Sequence, residues 1–115
     1  MSEALRMEDV HKSFGKLEVL RGIDLMLAEE YAEARLVLES AMAEIERGTE
    51  LDTPLLVECV FSLAWSYENL GFIEETVAYY ERLLELLNDY DDEEYLQITL
   101  VRLAEVYALV ERHAD

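Results

Sequence analysis

Thr53-Pro54-Leu55-Leu56-Val57-Glu58-Cys59-Val60-Phe61-Ser62-Leu63-Ala64-Trp65-Ser66-Tyr67-Glu68-Asn69-Leu70-Gly71 is the stretch that decides the fold. A capping hydroxyl at Thr53 followed by proline at the first helical position predicts a helix start. Leu56, Val60, Leu63, Ala64 and Tyr67 then recur at helical spacing until Gly71 ends the segment. Leu55 to Asn69 is apolar nearly all round, with one polar stripe of Glu58, Ser62, Ser66 and Asn69. A helix of that kind must be buried on both sides, as when it is held between neighbouring helix pairs.

Reading outward, Ile73 to Leu87 is the next expected helix, with Val77, Tyr80, Leu84 and Leu87 along one stripe. Asn88 to Asp92 is a polar break, and Asp91 or Asp92 is placed to cap a further helix running to about Arg112 on Leu96, Leu100, Leu103 and Tyr107. Upstream, Glu30 to Glu46 reads as helical, ending at Gly48-Thr49, and residues 15–28 as the helix before it. Gly15 and Gly22 weaken that last expectation, since glycine disfavours helix interiors by about 1 kcal/mol. Residues 1–14 are assigned to an N-terminal extension and 15–115 to one helical domain of two helix pairs plus a closing helix.

The chain repeats itself. Leu63-Ala64-Trp65-Ser66-Tyr67 returns forty residues later as Leu103-Ala104-Glu105-Val106-Tyr107, and at a 42-residue offset Tyr31, Ala34, Leu38 and Ala41 align with Ile73, Thr76, Tyr80 and Leu83. Both periods suit stacked two-helix units. Val60, Leu63-Ala64, Tyr67, Gly71, Ile73 and Tyr80 follow in the order of the tetratricopeptide repeat, which the chain resembles over roughly residues 15–112. Thr76 and Leu83 replace the usual alanines, Asn88 the closing proline, and Glu29 stands where Gly71 stands in the second unit. The resemblance implies an all-α fold: a short right-handed superhelix of antiparallel helix pairs, about five helices in all.

A second, shorter likeness runs from Val10 to Leu25, which is similar to the opening strands of an ATP-binding cassette domain, with Phe14 where that family stacks adenine. The phosphate-cradling Gly-rich loop, its lysine and the later acidic magnesium ligand do not follow, so nothing would hold a nucleoside triphosphate.

Composition bounds the rest. At 115 residues, 52% apolar, with one proline and four glycines, the chain suits one packed helical domain. No apolar run approaches the roughly 18 residues that span a bilayer, the N-terminus is polar and carries acids, and the single cysteine, Cys59, fits a reducing compartment; the expected location is cytoplasmic. The 27 acids against nine Lys and Arg leave a net charge of −18, of which residues 29–115 carry −17, and no lysine follows Lys16. Such a surface repels phosphate backbones and anionic lipid, which argues against nucleic-acid and membrane partners and favours a basic one. Solubility or salt adaptation explains the acids equally well.

No catalytic constellation emerges, so no enzyme activity, cofactor or metal is expected. His11 and His113 are isolated surface histidines, Cys59 a packing thiol, and Asp89, Asp91, Asp92, Glu93 and Glu94 lack the alternating spacing and central glycine of a calcium loop. The resemblance instead implies a concave groove lined by the first helix of each unit: Val19, Ile23 and Met26, then Phe61, Trp65, Glu68 and Asn69, then Val101 and Glu105. An apolar trough with an acidic rim suits a basic or amphipathic peptide, anchored on Trp65. The competing expectation makes Phe61 and Trp65 core residues, covered by the N-terminal segment or by a second copy in a homo-oligomer without a separate ligand.

Overall fold

The computed structural model of the chain describes residues 3–48 and 51–113, with side chains from Lys12 to Arg112 within that span. Five helices appear among the described residues: α1 (Glu3–Leu27), α2 (Tyr31–Arg47), α3 (Thr53–Leu70), α4 (Ile73–Asp89) and α5 (Glu93–His113), with no strand. The connections 28–30, 48–52, 71–72 and 90–92 are too short for anything but antiparallel neighbours. Each helix packs on the next, and α1 also reaches α3. The result is an all-α stack of hairpins measuring 59 × 30 × 22 Å.

The turns carry both repeat periods of the sequence. Gly71, at φ 82°, closes α3 with its N–H on the Glu68 carbonyl, and the Phe72 N–H returns to the Tyr67 carbonyl. At the 42-residue offset Glu29, at φ 62°, donates to the Met26 carbonyl and Glu30 to the Leu25 carbonyl, the same pair of bonds. At the forty-residue offset the helix starts coincide. Asp52 Oδ1 accepts from the Leu55 N–H at 3.2 Å and Asp92 Oδ1 from the Tyr95 N–H at 3.1 Å. The cap of α3 is therefore Asp52 rather than Thr53, which is already helical; a carboxylate one residue earlier reaches the third amide of the turn.

α1 is continuous from Glu3 through residues 10–25, so Gly15 and Gly22 lie inside a helix. They serve close packing. Seven residues apart, they share one face, and a Cβ on Gly22 would come within 2.5 Å of Leu38 Cγ while one on Gly15 would come within 3.0 Å of Ile45 Cγ1. Without side chains there, α2 seats directly on the α1 backbone, and this close approach offsets the lost helix propensity.

The core runs through every helix: Val19, then Leu38 and Ala41, then Leu56, Val60 and Leu63, then Tyr80 and Leu83, then Leu103. The positions aligned between the pairs behave alike: Ala34 and Thr76, Leu38 and Tyr80, Ala41 and Leu83 are all buried. Thr76, in place of an alanine, satisfies its buried hydroxyl by donating to the Phe72 carbonyl at 2.7 Å. On α3 the stripe of small polar residues is not a wet face: Ser62 and Ser66 are buried, and only its ends, Glu58 and Asn69, are exposed.

α5 departs from expectation. Its buried stripe is Thr99, Leu103 and Val106, with Tyr95 packed against the core, whereas Leu96, Leu100 and Tyr107 are exposed. Their counterparts forty residues earlier, Leu56, Val60 and Tyr67, are all buried. α3 has a following helix to cover that stripe and α5 has none among the described residues.

Two substitutions test this packing by urea unfolding. Gly22→Val drives a branched side chain into fully buried Leu38 and should lower the unfolding free energy by about 2 kcal/mol. Glu29→Gly relieves the left-handed backbone at the first hairpin and should raise it by about 1 kcal/mol.

Candidate groove between α3 and α5

α3 and α5 do not follow one another in the stack, and side chains rather than backbones bridge them. Phe61 meets Tyr95 edge-on, with ring centroids 5.2 Å apart. One turn further along α3, the Trp65 ring lies 4.3 Å beneath the Arg102 guanidinium. Arg102 Nη1 also reaches Glu68 Oε2 at 3.3 Å and Glu105 Oε2 at 3.4 Å. Glu68 is held from behind, its other oxygen accepting from the Tyr80 hydroxyl at 2.9 Å. Burial, with the Glu68 carboxylate beside it, pushes the Tyr80 phenol well above its ordinary range, so it remains a donor.

Between these struts lies an open cavity of about 590 Å³, with Phe61 and Trp65 on the α3 side and Ile98, Val101, Arg102 and Glu105 on the α5 side. A smaller hollow of about 290 Å³ shares Phe61 and Ile98 with it and extends the trough to Tyr95 and Glu94. Glu94 to Glu105 covers three turns of α5, a trough of about 16 Å at 1.5 Å per residue.

The residues assigned to the groove from sequence divide into two sets. Phe61, Trp65, Val101 and Glu105 come together along the trough, and Glu68 joins them through Arg102. Trp65 is partly exposed and not sealed in the core. Asn69 is exposed, its amide turned back onto the Trp65 carbonyl at 2.9 Å. The first-unit residues do not take part. Val19 is 0% exposed in the core, and Ile23 and Met26 are half-buried against that core. The physical reason is that α1 packs on α3 as well as α2, which turns this face of α1 inward. Arg102 is the groove residue that apolar spacing does not reveal. Its signal is positional: Ile98, Val101, Arg102 and Glu105 fall at i, i+3, i+4 and i+7 and so share one face.

Cys59 is fully buried, its Sγ donating to the Leu38 carbonyl at 3.3 Å. Burial, reinforced by Glu46 and opposed by Arg82, pushes its thiol from 9.0 up to about 12. Among the described residues no group of three or more His, Cys, Asp or Glu is placed to hold a metal ion, and no helix is long and apolar enough to cross a membrane. No family model matches the chain, and no curated protein or solved structure matches it either.

The Cys59 environment has a measurable consequence. The unfolded thiol ionises near 9.0 and the folded one only near 12, so its stabilising effect is complete below the lower value and is lost as pH rises through this window. The urea midpoint should fall across that range, with Tyr79, Tyr80 and Tyr95, all raised by burial, pulling in the same direction. At mildly alkaline pH, aromatic disulfide reagents should label Cys59 only at the rate of unfolding.

Proposed function

We propose that the protein is a tetratricopeptide-like interaction module, without enzyme activity, that binds a basic amphipathic peptide in the trough between α3 and α5. The observation that carries this is the partly exposed Trp65 lining an open cavity with Phe61, Ile98 and Val101, bordered by Glu94 and Glu105. Three turns of trough suit about three turns of a bound helix, whose leucine-like face covers the apolar floor while its cations meet the acidic rim. The net charge of −18 speeds encounter with such a partner and disfavours nucleic acid and anionic lipid. Self-repulsion at that charge also favours a partner of opposite sign over another copy.

A second function rests on a different observation. Leu96, Leu100 and Tyr107 form an exposed apolar stripe on α5 whose counterparts on α3 are buried, and a second copy of the chain would cover it. Light scattering coupled to size exclusion distinguishes them, since a clean monomer rejects the homo-oligomer.

Trp65→Ala tests the trough. Affinity for a synthetic leucine- and arginine-bearing amphipathic peptide should fall about 30-fold, as for loss of an aromatic anchor worth about 2 kcal/mol, while far-ultraviolet circular dichroism is unchanged. Collapse of the helical signal would instead make Trp65 a core residue.

A further inference from the structure

Arg102 occupies the middle of the proposed trough, where a cation of the chain itself is stacked on the anchor indole. Its guanidinium covers the Trp65 ring at 4.3 Å, and its ion pairs run to Glu68 at 3.3 Å and Glu105 at 3.4 Å. These groups answer a guanidinium: an aromatic face lies under its plane, and two carboxylates converge on one of its terminal nitrogens, Nη1. Glu68 is not free to turn away, since the Tyr80 hydroxyl fixes its second oxygen. Arg102 is not sealed there. Its side chain is 30% exposed, and Glu105, on the same helix, is 62% exposed. A partly exposed pair of this kind contributes little net stability. A preformed aromatic and carboxylate seat is thus filled by a residue open to solvent on its Glu105 side, whose contacts to Trp65 and Glu68 a second guanidinium would reproduce.

We propose that Trp65, Glu68 and Glu105 form an arginine seat, filled in cis by Arg102, and that an arginine of the bound peptide takes it by displacing Arg102 toward solvent. This rests on the peptide-binding function and names the residue type the trough selects. Occupancy of the indole face supports exchange over addition, since Arg102 already covers it at 4.3 Å. With Arg102 in place the seat carries two carboxylates and one cation, and a second cation entering without displacement would lie against the first. Lysine fits less well, because a compact ammonium has no plane to lay over the indole face that the Arg102 guanidinium covers. An intramolecular occupant also lowers the apparent affinity for a free peptide by the fraction of time the seat is open.

Trp65 is the only tryptophan, so its emission reports on the seat directly. The probe is an eighteen-residue amphipathic helical peptide of leucine, alanine and glutamine with one central arginine, together with versions carrying lysine or glutamine at that position. Each is titrated into the wild-type protein and into Arg102→Gln. Wild type should rank the peptides arginine above lysine above glutamine. Arg102→Gln should bind the arginine peptide roughly tenfold more tightly than wild type does, with little gain for the glutamine peptide. In the unliganded variant the emission should shift as the indole loses its cover.

Equal binding of all three peptides by the wild type, or an Arg102→Gln protein that binds the arginine peptide no better, overturns the arginine seat and leaves the apolar trough standing. Failure of every peptide to bind either protein overturns the peptide-binding function itself. The ranking on wild type needs no substitution in the protein, so the seat remains testable if Arg102→Gln does not fold.

Discussion

α3 is buried on opposite faces at once. Leu56, Val57, Cys59, Val60, Leu63, Ala64 and Tyr67 are all removed from water, and with them Ser62 and Ser66 on what would otherwise be its polar side. Each fully buried Leu or Val contributes about 1.5–3 kcal/mol, so the hydrophobic stabilisation is largest when the other helices surround α3. α2 and α4 lie against it, α1 reaches it over the first hairpin, and α5 is tied to it by Phe61–Tyr95 and by Arg102. Even its thiol is used for packing, with Cys59 donating to a carbonyl of α2.

Around that centre the chain reuses two local devices. One is the left-handed residue that closes the first helix of each pair and aims the second back along it. The other is an aspartate that caps the helix opening each later unit. The same hydrogen bonds recur at the two sequence offsets, so successive units open and turn in the same way. Glycine at position 71 adopts the left-handed conformation without strain. Glutamate at 29 adopts it because the packing of α1 on α2 requires the same turn.

Repetition also explains the trough. First helices of successive units are neighbours without being consecutive, so they face each other across a gap that only side chains bridge. Between α1 and α3 the gap closes, with Val19 buried and Ile23 and Met26 packed inward. Between α3 and α5 it stays open, and Trp65 and Glu68 of α3 meet Arg102 of α5 across it. These side chains supply the aromatic, cationic and acidic surface there.

Helix number, order and most boundaries were legible in the residues alone, because apolar spacing, Gly71, Pro54 and the aspartates act over one or two turns. The buried face of a helix with one apolar stripe was legible for the same reason, as the matched burial of Leu38 with Tyr80 and Ala41 with Leu83 shows. A helix apolar on several sides, such as α5, carries no local mark of which stripe meets the core. Periodicity indicated Leu96, Leu100, Leu103 and Tyr107, and the stack kept Leu103 but buried Thr99 and Val106 beside it in place of the other three, since a neighbour exists on that side only. The role of Gly15 and Gly22 depends on Ile45 and Leu38, and that of Arg102 on Trp65, partners a turn or more of chain cannot specify. Short-range preferences thus determined the elements, while which surfaces are covered and which remain open was decided by long-range packing, where most of the burial free energy arises.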